Sequence, residues 1–284
     1  MARQSIKKYS PGQSVLLISP LMIFLIIFYL YPLITLFPLS LIEKGEFSIK
    51  HYAHFFGVPL YVNVLIRTIR TAIVVTFVCF ILGYPVAYFI SEVRDNRISS
   101  LLLICVLLPF WTSVLVKTYT WVVLLQSEGL INSLLVWIGI VKEPLKLLYN
   151  EFAVIVGMVH ILLPFIILPI YSVLKNLDRN LNRAARNLGA SPLKVFLLIV
   201  FPLSLPGVAA GVMFVFILAL GFYVAPAILG GANTLMIATL IDQQINRLLN
   251  WEFASAIAVL LLLTTVGMIV IFNRIVGLDR LYTE

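Results

Sequence analysis

Long uncharged apolar runs recur along the chain, and the polar segments between them are short. A helix that crosses a bilayer needs about 20 such residues. The first run covers 15–37 and follows Arg3, Lys7 and Lys8. It is too long for the core of a signal peptide, and no small-residue cleavage site follows it. Further runs cover 71–91, 98–125 (with Lys117 inside it), 152–174 and 253–272. Residues 195–241 carry no charge but are too many for one crossing, and Pro202, Pro206, Gly207, Pro226, Gly230 and Gly231 punctuate them. This divides the stretch into a lead-in to about 204, a fifth span at 205–225 and a return segment that does not cross. Residues 130–140 are apolar but short, which predicts an interfacial or half-buried helix. The pattern as a whole predicts an all-α polytopic membrane protein with six transmembrane helices, in one domain covering 1–284.

Composition agrees. Hydrophobic residues make up 62% of the 284 and charged residues 11%, with a mean hydropathy of +1.08. Soluble domains carry about 25% charge, so membrane lipid must cover part of this surface. Cys79 and Cys105 both lie in apolar runs, which excludes a disulfide framework and leaves no metal-ligand spacing. The net charge of +8 reads as topology and not as affinity for nucleic acid. Twelve of the 20 Lys and Arg lie at the N-terminus, at 92–97, at 175–194 and in the tail from Arg274. The other eight, Arg67 and Arg70 among them, lie on the opposite side. The positive-inside rule then places both termini in the cytoplasm.

Several chemistries are missing. The dipeptide Gly-Lys is absent, so the chain has no phosphate-binding P-loop for ATP. Neither H-E-x-x-H nor G-x-S-x-G occurs. His51 and His54 sit three apart in an external loop with no obvious further ligand, and they read as loop histidines with no metal. His160 falls in the middle of a span, where a helix–helix hydrogen bond is the expected role.

The polar island at 175–194 stands out. It reads KNLDRNLNRAARNLGASPLK. Leu181, Ala184, Ala185 and Leu188 recur at helical spacing on one face, opposite Asn182, Arg183 and Arg186. Gly189 is placed to end that helix in the left-handed conformation. Ser191 and Pro192 then suit a helix start, as an N-cap and a first-turn residue. The expected product is a stiff elbow of two short helices with a knuckle of small residues.

Arg183-Ala184-Ala185-x-x-x-Gly189, nine residues, then Ile199-x-Phe201-Pro202 resembles the E-A-A-x-x-x-G-x9-I-x-L-P loop of ABC importer permeases. Arg183 replaces the usual Glu, and Phe201 the usual Leu. The stretches LLPFWTSVLVKTYTW, SEGLINSLL, HILLPFIILPIYSVLKNLD and FPLSLPGVAAG are similar to spermidine/putrescine permeases, in their PotB-like branch. The resemblance implies a type I (MetI-like) importer fold and a non-enzymatic permease subunit that moves polyamines by alternating access. It also implies partners: two ATP-binding subunits that hold ATP and Mg, a second PotC-like permease, and a periplasmic substrate-binding protein. Arg183, Ala184, Ala185, Arg186, Gly189 and Pro192 are then the residues coupled to the ATPase.

A polyamine pathway calls for aromatic faces and carboxylates. Trp111, Tyr119, Trp121, Tyr223, Asp242 and Glu252 are the candidates. Lys117 is awkward for a cation route. It either snorkels outward, pairs with a carboxylate of the second permease, or signals an anionic solute. The same machinery for an opine, amino-acid derivative or anion is the alternative reading, and a stand-alone secondary transporter a more distant one.

Overall fold

The computed structural model describes residues 11–43 and 45–276. Arg3, Lys7, Lys8, Lys44 and the tail beyond Val276 lie outside the described residues. Helix α1 (Pro11–Leu25) runs through a π turn into α2 (Tyr31–Ser40). A minimal antiparallel hairpin, β1 (Ile42–Glu43) and β2 (Glu46–Phe47), leads to α3 (Lys50–Gly57). Then come α4 (Pro59–Glu92), α5 (Asn96–Leu107), α6 (Val114–Leu125) and α7 (Leu130–Trp137). The long α8 (Glu151–Lys175) precedes the elbow helices α9 (Arg179–Asn187) and α10 (Pro192–Val195). The chain closes with α11 (Phe201–Leu220), α12 (Val224–Leu229), α13 (Ile237–Asn246) and α14 (Trp251–Val276). Among the described residues, five helices are long and apolar enough to cross a membrane, and a bent pair makes a sixth when it is counted as one span.

The core is a three-helix contact of α4, α8 and α11. Lipid supplies no hydrophobic drive between helices, so close packing must hold them. Glycines make it possible. A Cβ on Gly211 would sit 3.0 Å from the Ile166 side chain and 3.1 Å from its carbonyl oxygen, and one on Gly207 would sit 2.8 Å from the Pro169 oxygen. Polar ties add specificity. The Tyr84 hydroxyl and Ser204 Oγ bond at 2.9 Å between α4 and α11. Thr68 Oγ1 on α4 accepts the Ile237 N–H at 2.9 Å and so caps α13. The α1–α2 helix, by contrast, has none of its most apolar stretch buried in this chain.

Three boundaries differ from the sequence-based expectation. The second span begins at Pro59 and not at 71, because Arg67 and Arg70 continue the helix past the apolar window. The third is not continuous over 98–125. A 3-10 turn at Leu108–Trp111 ends its first half, Thr112 and Ser113 are extended, and Asn96–Trp111 meets Val114–Trp137 at 93°. Pro109, which lacks an N–H and crowds the preceding turn, begins this break. The fifth span covers Pro192–Leu220 and not 205–225, so the supposed lead-in is part of it.

Pro202 fails to break that span for a visible reason. A π turn at Phe196–Val200 precedes it, and the Phe201 N–H bonds five residues back to the Phe196 carbonyl. The widened turn accommodates a proline that has no N–H to offer. The first span repeats the device: π turn Ile26–Leu30, Tyr31 N–H to the Ile26 carbonyl, then Pro32.

Candidate functional site

The elbow forms as its local chemistry dictates. Asp178 caps α9 by accepting the Asn180 N–H at 2.9 Å. At the other end the Ala190 N–H reaches the Ala185 carbonyl at 3.0 Å and the Gly189 N–H reaches Arg186 at 2.9 Å. With Gly189 at φ +85°, this is a Schellman ending. Ser191 Oγ then accepts the Lys194 N–H at 3.4 Å, with Pro192 in the first turn of α10.

The expected single apolar face is divided. Ala185 and Ala190 turn inward against the core, as the contact that accompanies a Schellman ending. Leu181, Ala184 and Leu188 turn outward, with Leu188 89% exposed. Arg183, Arg186, Gly189 and Pro192 are exposed beside them. The elbow is also anchored to the bundle. Phe196 lies edge-on to Tyr84 and Tyr88 of α4, with ring centroids 5.8 and 5.4 Å away. Sequence reasoning missed this anchor, since nothing in the spacing of Tyr84, Tyr88 and Phe196 announces that they meet.

Among the six pathway candidates, Tyr223 and Asp242 are brought together and Glu252 takes a different partner. Trp111, at the break in the third span, is 79% exposed, and Tyr119 on α6 is exposed as well. Trp121 is half-buried and donates its indole N–H to Nδ1 of His160 at 3.0 Å, the helix–helix bond expected of that histidine. Tyr223 and Asp242 do meet: the Asp242 carboxylate and the Arg247 guanidinium both act on the Tyr223 phenol. Asp242 also accepts from Asn246 at 2.6 Å. Glu252 instead faces His51 at 3.5 Å, beside the cluster of Phe55, Phe253 and Ile257. His54 packs edge-on to Tyr61 and Phe253. Among the described residues no cluster of three metal-ligating side chains forms.

Lys117 does not snorkel. It is 9% exposed, and its Nζ donates to the Pro109 carbonyl at 2.9 Å, folding back over the break. Arg70, one of the eight basic residues placed opposite the termini, pairs with Glu151 between α4 and α8.

A bundle of lipid-facing helices, one of them broken, with a rigid exposed elbow between two spans is the architecture of an importer's membrane-embedded subunit. The chain belongs to the family described as binding-protein-dependent transport system inner membrane component, whose model matches residues 80–278. It is thus a multi-pass permease subunit of the bacterial inner membrane. It is 35% identical over 231 residues to the spermidine/putrescine transport system permease protein PotB of Escherichia coli K12, covering 81% of this chain and 83% of that one. The PotB protein of Haemophilus influenzae is 34% identical over 257 residues, covering 88% and 89%. The fold matches a chain of a bacterial ABC transporter that imports the acidic polysaccharide alginate, with TM-score 0.73, 18% identity, and 95% and 96% of the two chains covered. A chain of the MetNI methionine ABC transporter matches with TM-score 0.57 at 18% identity, over 76% of this chain and 94% of that one.

Proposed function

We propose that the chain is one of two permeases in an ATP-driven importer of spermidine- or putrescine-like polyamines, and that its elbow is the coupling element. The similarity to two PotB proteins over more than four-fifths of the chain supports the cargo. The observation that carries the mechanism is the exposed face of Leu181, Ala184 and Leu188, set on a capped elbow and tied through Phe196 to α4. A nucleotide-binding subunit that grips this face moves α4 and α11 with it, because the elbow is too well hydrogen-bonded to absorb the motion. ATP and Mg reside in that subunit. A second PotC-like permease completes the pathway, and a periplasmic binding protein delivers the cargo. Alternating access follows if the ATP-bound and ATP-free partners contact the elbow differently.

The test is reconstitution with the co-encoded subunits in liposomes. Labelled putrescine should accumulate only with ATP, both permeases and the binding protein present. Accumulation by this chain alone would remove the coupling role, and a binding protein that ignores polyamines would remove the cargo.

A further inference from the structure

We propose that the break in the third span is a binding site for a primary ammonium on a four-carbon arm, and that Lys117 occupies it from within as a tethered ligand. The proposal rests on the polyamine reading above and names where in this chain such a cargo is held.

Four observations carry it. First, the site attracts cations. The Pro109 carbonyl closes the 3-10 turn at the C-terminal end of a half-helix, the negative end of its dipole. Broken helices inside membranes coordinate cations with such ends. Secondly, the position is exchangeable. The Pro109 oxygen also accepts the Thr112 N–H at 3.2 Å and the Thr112 hydroxyl at 2.9 Å, so it stays satisfied when the ammonium leaves. The ammonium itself is weakly held: it has three donors, one acceptor is on Pro109, and among the described residues no carboxylate lies within 4.0 Å of it.

Thirdly, there is room. Lys117 forms part of the wall of a cavity of about 200 Å³, lined also by Phe110, Phe165, Phe222, Ile161 and Leu218. One water needs about 10–15 Å³ of such space, so the cavity has room for the heavy atoms of a four-carbon diamine. Aromatic faces suit both the alkyl stem and the cation. Fourthly, the occupant is a chemical replica. A lysine side chain is four methylenes ending in an ammonium, which is the aminobutyl arm of putrescine and of spermidine. Lys117 and a cargo arm therefore compete for the same carbonyl and the same aromatic walls, and cargo enters as Lys117 swings out.

The experiment uses the complete importer with this chain wild type, Lys117→Ala or Lys117→Ser. The probe is n-butylammonium, with n-butyltrimethylammonium, which has no N–H, as control. The probe should raise the thermal midpoint of both variant complexes by more than that of the wild type, and the control should move none. The apparent KM for putrescine should fall at least threefold in the variants. On the unaltered importer, acetylation of Lys117 relative to Lys142 and Lys146 in the same sample, read by mass spectrometry to correct for reagent consumed by putrescine, should increase during putrescine turnover. No protection of either assembled variant, or Lys117 labelling that does not increase, overturns the proposal. Protection of the variants by n-butylammonium in an importer that takes up no polyamine keeps the site and overturns the cargo reading instead.

Discussion

Trp121 and His160 fix each other's chemistry. An indole nitrogen is only a donor, so Nδ1 of His160 must be the acceptor in their 3.0 Å bond, and the ring is neutral with its proton on Nε2. The bond joins the second half of the broken span to α8, where the rings meet edge-on at 5.9 Å. Polar pairs between membrane helices contribute about 0.6 kcal/mol on average and up to about 1.7. Trp121→Phe and His160→Leu should each destabilise the purified complex by an amount in that range. The double variant should cost little more than either alone. A thermal-unfolding cycle that returns additive effects would show that the bond contributes nothing.

Glycine at 211 is required by a neighbour and not by its own backbone. Ile166 of α8 occupies the space a side chain would need, with its carbonyl oxygen 3.1 Å from a Cβ. Gly211→Ala needs the two helices to part by a few tenths of an ångström. Gly211→Leu needs far more and should lower stability by about 1–3 kcal/mol, the usual penalty for overpacking. Gly267→Leu is the control, because nothing lies within 4 Å of a Cβ there. Thermal unfolding of the two variants in detergent should separate them clearly.

Local rules made much of this molecule legible. Apolar windows located the long spans because a bilayer demands a sustained apolar run, and the elbow was readable because Asp178, Gly189, Ser191 and Pro192 each act within a few residues of themselves. Two of the three displaced boundaries trace to prolines, and the third to Arg67 and Arg70, which continue α4 beyond its apolar window. Pro109 was read through and ends a half-helix, whereas Pro202 and Pro206 were read as breaks and are tolerated in a span. What decides between these outcomes is the surrounding turn: a π turn ahead of Pro202 diverts the Phe201 N–H to Phe196, and no such turn is present ahead of Pro109. The pathway candidates were poorly legible, because Trp121, Glu252 and Lys117 take partners distant in sequence or around a corner that only the fold creates.

The Arg70–Glu151 pair should matter less than its geometry suggests. Both side chains reach solvent, at 61% and 34% exposure. Exposed pairs contribute about 0–1 kcal/mol and weaken with salt. Arg70→Gln should therefore leave the melting temperature nearly unchanged and leave polyamine uptake intact at physiological ionic strength. A large loss of uptake with normal assembly would assign Arg70 to the pathway, where the sequence placed no candidate.

The elbow offers the sharpest contrast between shape and contact. Nothing lies within 4 Å of a Cβ built on Gly189, but its φ of +85° is one that most side chains avoid. Asparagine tolerates this region better than other residues, and a β-branched residue tolerates it worst. Gly189→Asn should therefore retain the Schellman ending and most transport. Gly189→Val should unwind the end of α9 and release the Ala185–Ala190 contact that ties the elbow to the core. Gly189→Asp should keep more of the shape than valine but place bulk and charge at the surface offered to the ATPase. The expected order of coupled uptake is Gly, Asn, Asp, Val, with the protein reaching the membrane in every case. ATP hydrolysis should become less dependent on cargo along the same series. Equal uptake across the four would mean that the motor does not act through this knuckle. A loss with Asn as severe as with Val would mean that the partner touches the glycine itself and that backbone shape is secondary.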